Sequence, residues 1–333
     1  MRKVIALAGC LIASTALLAA QSTYQVVQEI HIGGEGGWDY LIVDSAAHRV
    51  YMSHATKIVV ADTDSGKIVG EIPDLPGVHG FAIAPELGRG FTSNGRANSS
   101  TIVDLKTLKP LGTVATGANP DSIRYLSERK EVWTFNHTGG SITAFDPMTG
   151  KVIATIEVGG DLEEAVEDQS AHRVYVNVED KGTIAVIDTV KHTMVASWPV
   201  ADCKTPTGLA FDVKNHLLLS ACAGRMAVTD STSGKAVSGF PIGDRVDGNG
   251  FDPATNLAFA SSGTGVLTIA HQDAPGKFTV VQTAKTLPSG RTMWLDPSTH
   301  RVYVPVAMSS PGPNGRAQIT PDTMKILVLA MKQ

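Results

Sequence analysis

The string HRVY occurs three times, at 48–51, 172–175 and 300–303, and its neighbours also agree, as AAHRVYMS, SAHRVYVN and STHRVYVP. The three valines are 124 and 128 residues apart. Weaker copies fill these intervals, and the seven marker positions recur every 40 to 44 residues, at Val50, Gly90, Val132, Val174, Leu218, Ala258 and Val302. A period of about 40–45 residues with strand-like content is typical of a β-propeller blade.

Each repeat predicts four short strands. An apolar strand ends near an Asp, as in YLIVD 40–44, and a tight turn leads into the HRVY strand. A third strand such as KIVVAD 57–62 is followed by the turn DSGK 64–67 and the fourth strand IVGEI 68–72. Asp, Ser and Gly are the residues that tight turns require. HRVY therefore opens the second strand of a blade, and we interpret it as architecture.

The count of markers predicts an all-β, seven-bladed propeller with blades of about 42 residues. The seventh blade lacks a fourth strand, because the chain stops after MKILVLAMKQ 324–333. The segment TYQVVQEIHIGG 23–34 resembles a fourth strand such as TGKVIATIEVGG 149–160. We expect it to close the ring, which removes the open sheet edges. Residues 21–333 are then one domain.

Residues 1–20 predict a secretory signal peptide, with a basic MRK start and an apolar run that ends in small residues. The protein is therefore expected to be periplasmic or secreted, and LAGC 7–10 leaves lipidation of Cys10 open. No later run is long and apolar enough to span a bilayer. Export permits disulfides, and we expect Cys203 and Cys222 to form one on the mouth face of blade five.

The formal net charge is −4, and it becomes −6 once Arg2 and Lys3 of the leader are removed. This balance argues against the broad basic surface that binding to a phosphate backbone requires. Nucleic acid is therefore an unfavoured partner. A single-stranded segment held by Trp38, Arg96 and Arg291 remains an alternative.

The chain resembles the YVTN-type β-propeller repeat proteins, a surface-layer-like family within the quinoprotein-dehydrogenase-like propellers. The resemblance is carried by VYVNVEDKGTIAVIDTVKHTMVASWPV 174–200 and by WTFNHTGGSITAFDPMTGKVIATIEVG 133–159. It extends over nearly all of the chain after residue 20, and it implies the fold and export. Members of this family have diverse roles, so the resemblance does not imply a function.

One residue per blade is expected at the mouth of the central channel, five positions before the Asp that ends the first strand. The resulting ring is Asp39, His79, Asp121, Glu163, Thr207, Asp247 and Arg291. Converging carboxylates repel one another unless a cation lies among them or some are protonated. We therefore expect a divalent metal, Ca²⁺, Mn²⁺ or Zn²⁺, with a ligand set drawn from Asp39, His79, Asp121, Glu163 and Asp247.

The loops beside this ring supply further candidate ligand-binding residues. They are Trp38, His54, Asn94, Arg96, His137, Asn177 and Glu179. His54 and His137 are candidate bases, and Arg96 with Arg291 is a candidate clamp for an anionic group. Trp38 is placed to stack on a ring or a sugar.

These residues leave several functions open. The first is an exported binding or scaffold protein, expected to be a monomer, that holds a small molecule, an envelope protein or a glycan at the mouth. An alternative is a metal-dependent hydrolase of a small lactone or ester. A third is a solvated mouth without a function. The chain contains no HExxH, GxSxG or CxxCH motif and no phosphate-binding loop to choose among them.

Overall fold

The computed structural model describes residues 23–311 and 317–332, so the predicted signal peptide and Cys10 lie outside the described residues. The described chain forms seven four-stranded antiparallel sheets. The first strand of each sheet contacts the first strands of the two neighbouring sheets, which closes the ring. The fold is thus the predicted seven-bladed β-propeller. Among the described residues, no helix has the length and apolar character of a membrane span.

The first four blades follow the closing strand β1 (Thr23–His31) in chain order. Blade one comprises β2 (Trp38–Asp44), β3 (Arg49–His54), β4 (Lys57–Asp62) and β5 (Ile68–Ile72). Blade two comprises β6 (Val78–Ala84), β7 (Arg89–Asn94), β8 (Ser99–Asp104) and β9 (Pro110–Ala115). Blade three comprises β10 (Pro120–Leu126), β11 (Glu131–Asn136), β12 (Ser141–Phe145) and β13 (Val152–Glu157). Blade four comprises β14 (Leu162–Asp168), β15 (Arg173–Val178), β16 (Thr183–Asp188) and β17 (Thr193–Pro199).

The remaining blades continue the pattern. Blade five comprises β18 (Leu209–Asp212), β19 (Leu217–Cys222), β20 (Arg225–Asp230) and β21 (Ala236–Pro241). Blade six comprises β22 (Val246–Asp252), β23 (Leu257–Ser262), β24 (Val266–Ala274) and β25 (Lys277–Lys285). Blade seven comprises β26 (Trp294–Asp296), β27 (Arg301–Val306), β30 (Lys325–Lys332) and β1. A small hairpin, β28 (Ser309–Pro311) and β29 (Ala317–Ile319), and short 3-10 helices at Pro85–Leu87, Gly95–Ala97 and Glu179–Lys181 complete the elements.

The HRVY strings have the structural role that their spacing predicts. The His of each copy ends the turn in the left-handed region, with φ of 53°, 53° and 57° at His48, His172 and His300. Among residues other than glycine, His is one of those enriched in this region. The Arg that follows begins the second strand in all three copies. The string therefore marks the same turn-to-strand junction in three blades.

The Val and Tyr of HRVY pack in the core between the blades. Val50 and Tyr51 are both buried, and the ring of Tyr51 stacks on Phe81 of blade two with centroids 4.9 Å apart. The hydroxyl of Tyr175 donates to the carbonyl of Ser231 in blade five at 2.9 Å. These contacts join blade one to blade two and blade four to blade five, which confirms that HRVY is architectural.

Two further predictions are confirmed. β1 pairs antiparallel with β30, so the N-terminal strand completes blade seven and closes the ring. Cys203 and Cys222 form a disulfide with their Cα atoms 5.7 Å apart. Cys222 is the last residue of β19, and both cysteines are buried. The bond ties the segment that leads into blade five to the second strand of that blade.

The inner strands share an irregularity close to the channel mouth. The pairing register shifts by one residue near the start of β2, β6, β10, β14 and β22. A bulge of this kind places an extra residue in one strand and interrupts the strict alternation of side chains. Consecutive residues such as Asp39 and Tyr40 can therefore both reach the channel.

Candidate functional site at the channel mouth

Hydroxyl groups of blades two, three and seven fix the backbone of the neighbouring inner strand. Ser122 Oγ donates to the carbonyl of Glu163 at 2.8 Å, and Thr292 Oγ1 donates to the carbonyl of Asp39 at 2.8 Å. Ser93 Oγ bonds the carbonyl of Asp121 in the same way. Since these are the residues of the predicted ring, their positions are set by contacts between blades.

Three ring residues from blades one, two and three converge most closely. Nδ1 of His79 lies 2.7 Å from Oδ2 of Asp39 and 3.1 Å from Oδ1 of Asp121. The ligand atoms of all three residues lie within 4.8 Å of one another, as a metal site requires. We refer to Asp39, His79 and Asp121 as the trio.

The position of His79 depends on a glycine in blade two. A Cβ atom on Gly95 would lie 2.6 Å from Nε2 of His79, so no other residue at this position leaves the imidazole undisturbed. Burial lowers the pKa of His79, but its hydrogen bond to Asp39 and the charge of Asp121 outweigh this and raise it. The two neighbouring carboxyl groups therefore stabilise the protonated imidazole when no metal is bound.

Asp121 is the most perturbed carboxyl group of the mouth. Burial, together with the charges of Asp39 and Glu163, raises the pKa of Asp121 to about 8. The hydroxyl of Tyr40 reaches across from blade one and donates to Oδ2 of Asp121 at 2.9 Å. Burial and the nearby carboxylates also raise the pKa of Tyr40 well above its ordinary value, so Tyr40 keeps its proton.

A second group of ligand atoms lies at blades three and four. Nδ1 of His137 is 3.2 Å from Oε1 of Glu163, and Glu179 brings a further carboxylate within 4.8 Å of both. The hydrogen bond to Glu163 outweighs burial and raises the pKa of His137 to about 9. Burial also raises the pKa of Glu163, although His137 opposes the rise. His137 is thus a cation at neutral pH.

Arg291 is a permanent cation at the mouth. Its Nη1 pairs closely with Asp247, and its Nη2 lies 3.3 Å from Oδ1 of Asp39. Arg291 therefore links the trio to the carboxylate of blade six. Arg291 and His137 are thus two cations among the converging carboxyl groups, and His79 is a third basic side chain there.

An open cavity of about 530 Å³ lies beside the trio. Asp39 and His79 form part of its wall, and Trp38, Arg96, Asn119 and Arg291 form much of the rest. Arg96 is exposed and has no ion pair among the described residues, so its guanidinium is available to a ligand. The cavity combines an aromatic side chain with two guanidinium groups next to the candidate metal ligands.

The structure places four other predicted residues differently. His54 is buried behind Gly34, and neither ring nitrogen has a partner in the described chain. Asn94 is buried and bonds Ser99 and Thr101 within its own blade. The remaining two serve the backbone, since Asn177 donates to the carbonyls of Thr207 and Gly208, and Thr207 donates to that of Val246.

Two residues of the mouth were missed by counting back five positions. Tyr40 follows Asp39 directly, and strict alternation would point it away from the channel; the bulge in β2 removes that restriction. Asn119 precedes β10 and lines the cavity beside Trp38. A tyrosine beside a predicted carboxylate and an Asn-Pro pair at the start of an inner strand were the signals available.

Comparisons with known proteins support the fold. The chain matches no protein-family model and no curated protein. Among solved structures it is similar to "Structure of U3-55K", with a TM-score of 0.73 and 10% identity over 91% of this chain and 98% of that one. It is also similar to "Crystal structure of RRP9 WD40 repeats", with a TM-score of 0.74 and 11% identity over 92% of this chain and 97% of that one.

A third similar structure is the hydrazine synthase of Kuenenia stuttgartiensis, with a TM-score of 0.59 and 20% identity over 70% of this chain and 77% of that one. At these identities the likeness is one of fold alone. The chain is a seven-bladed β-propeller.

Proposed function

We propose that this protein is an exported binding protein that holds a divalent metal ion at the channel mouth, with Asp39, His79 and Asp121 as its ligands. The observation that carries the proposal is the convergence of their donor atoms within 4.8 Å, from three consecutive blades. These residues are more than 80 positions apart from first to last, so the propeller geometry alone brings them together.

The donor set favours a transition metal over Ca²⁺. An imidazole nitrogen with two carboxylate oxygens suits Zn²⁺ or Mn²⁺, whereas Ca²⁺ takes six to eight oxygen ligands. Asp247 stands outside this set because Arg291 pairs with it. The group of His137, Glu163 and Glu179 is a second candidate position for the same ion type.

The test is metal analysis of the mature protein, expressed with export and without a polyhistidine tag. We expect about one equivalent of Zn or Mn by elemental mass spectrometry, and its loss in Asp121→Asn. Asp247→Asn is the matched control, because it removes a ring carboxylate outside the trio. Glu163→Gln reports on the second candidate position.

The pattern across these variants decides the proposal. A protein that contains no metal, and binds neither Zn²⁺ nor Mn²⁺ in calorimetry, would overturn it. Equal loss in Asp121→Asn and Asp247→Asn would also contradict it, because a diffuse field of negative charge would then explain the uptake.

The YVTN-type assignment and export belong to the same proposal. The repeat strings and the apolar leader support them, and the disulfide is a bond that exported compartments permit. Cell fractionation, together with N-terminal sequencing of the mature protein, tests export. An uncleaved chain in the cytoplasm would refute it.

A second candidate function is hydrolysis of a small lactone or ester. The cavity of about 530 Å³ that shares Asp39 and His79 with the trio favours it, because it leaves room for a substrate beside the ion. A metal held by Asp39, His79 and Asp121 would polarise a carbonyl or lower the pKa of a bound water. Arg96 is placed to bind an anionic substituent, and Trp38 to contact a ring. Turnover of a lactone and ester panel, lost in Asp121→Asn, is the expected result.

A further inference from the structure

The channel contains a second chamber, on the other side of Tyr40 from the mouth. The hydrogen bond from Tyr40 to Asp121 crosses the channel between blades one and three. Two cavities of about 140 and 240 Å³ lie against Tyr40 and share Arg124, Glu164, Met293 and Trp294. Because five wall residues are common to both, we describe them as two lobes of one chamber.

The wall of this chamber differs from that of the mouth. Apolar side chains of the inner strands line both lobes beside polar backbone and side-chain atoms, and they include Ile42, Phe81, Ile83, Leu209, Phe251 and Leu295. Arg124 and Glu164 are the only charged residues among the described residues that line it. The two lobes together have the volume of a small-molecule site, and their apolar side chains surround one pair of charged groups that can orient a ligand.

The chamber is open to solvent. Ile42, Ile83, Trp294 and Leu295 lie on inner strands yet are partly exposed. A small molecule can therefore enter from the face opposite the mouth without passing Tyr40.

Arg124 and Glu164 define the polar requirement of a ligand. Nη2 of Arg124 pairs with Oε1 of Glu164, and Nε of Arg124 is buried without a partner. The pair is neutral as a whole, so an additional charge in this apolar wall would lose hydration without gaining a counter-ion. An uncharged group that offers both a donor and an acceptor can bond Glu164 and Arg124 together.

We propose that this chamber is a second ligand site, for an uncharged aromatic molecule that carries an adjacent hydrogen-bond donor and acceptor, as in an aromatic amide. The aromatic body lies among Tyr40, Trp294 and Met293. The amide NH donates to Glu164, and the amide carbonyl accepts from Arg124. The site is separate from the trio, so the inference does not depend on the proposed metal.

The experiment is calorimetry of the mature protein with 2-naphthamide as the probe. We expect binding with a Kd below about 1 mM. The charged analogue 2-naphthoate and methyl 2-naphthoate, which lacks the donor, should each bind at least about tenfold more weakly.

Two variants locate the binding. Arg124→Met with Glu164→Leu replaces the ion pair by apolar side chains, an exchange that often preserves stability, and should weaken 2-naphthamide binding at least about tenfold. Trp294→Leu removes the indole and should weaken binding of all three probes.

Gly112→Ala is the control, since Gly112 lies outside the lining of both lobes and a Cβ there meets nothing within 4 Å, so 2-naphthamide binding should be unchanged. An absence of binding, an affinity for 2-naphthoate equal to that for the amide, or full binding by a folded Arg124→Met, Glu164→Leu double variant would each overturn the proposal.

Discussion

Two parts of the mouth place a carboxylate beside a cation from a neighbouring blade, yet they differ in chemistry. In the trio the cation is His79, which can release its proton and become a metal ligand. On the other side it is Arg291, which stays charged and pairs with Asp247. The identity of the basic partner therefore decides whether a carboxylate at the mouth is available as a metal ligand. Of these two parts, the trio offers a neutral nitrogen donor after proton release, and the pair of Arg291 with Asp247 does not.

The largest expected difference between the two parts of the mouth appears when each basic side chain is removed. His79→Gln should weaken Zn²⁺ binding by at least about 100-fold, because it deletes a direct ligand rather than an outer partner. Arg291→Gln should leave Zn²⁺ affinity equal or tighter, since it frees Asp39 from an ion pair. Calorimetric titration of both variants measures the difference. A weaker affinity in Arg291→Gln, comparable to that in His79→Gln, would count against a distinct role for the trio.

The disulfide distinguishes the two sides in another way. On the side of the ring away from the trio, the segment before Thr207 is held by the bond between Cys203 and Cys222. Its loss, in Cys203→Ala with Cys222→Ala, should lower the free energy of unfolding by about 3 kcal/mol, because it closes a loop of about twenty residues. Zn²⁺ affinity should remain unchanged. Denaturant unfolding and calorimetry on the same variant provide both measurements, and a lost metal affinity would show that the two sides are coupled.

The fold was predictable from the sequence because its signals repeat. The HRVY strings, the Asp that ends five of the seven inner strands and the spare strand at Thr23–His31 each recur or complete a pattern, and all lie where they were expected. The cysteine pair was predictable for the related reason that both of its members map to one blade.

The site was predictable only in part. Spacing brought Asp39, His79 and Asp121 to one mouth, but it could not show that their ligand atoms meet while Asp247 pairs with Arg291. Those distances depend on rotamers and on close contacts such as that between Gly95 and His79. The bulge that brings Tyr40 into the channel has no strong local signature, so the chamber behind it was also missed.

A substitution at Gly95 tests whether the position of the His79 imidazole affects Zn²⁺ affinity. Gly95→Ala places a Cβ 2.6 Å from Nε2 of His79 and should displace the imidazole, weakening Zn²⁺ binding about tenfold. Gly112→Ala is the matched control, because a Cβ there meets nothing within 4 Å. Comparison of the two Zn²⁺ affinities checks the prediction. Equal affinities would mean that the trio tolerates a displaced His79.

The smallest expected effect is on the pH dependence of the thermal stability of the metal-free protein. Asp121 has a folded pKa of about 8 against an ordinary value of 3.8, so between these limits the folded state binds the extra proton. The pKa of His137 is raised from 6.5 to about 9, so the folded state also binds an extra proton between these pH values. Stability should therefore fall as pH rises from 6 to 9, and Asp121→Asn should reduce the fall in Tm by roughly 2–4 °C.

Thermal melts at several pH values measure this dependence. The slope that His137 causes should persist in Asp121→Asn, because its partner Glu163 is unchanged. Asp247→Asn is the matched control and should keep the full slope, since the carboxylate of Asp247 is paired with an arginine that does not titrate in this range. If Asp247→Asn flattened the curve as much as Asp121→Asn, the pH dependence would belong to the net charge of the ring, and the distinction between its histidine side and its arginine side would be lost.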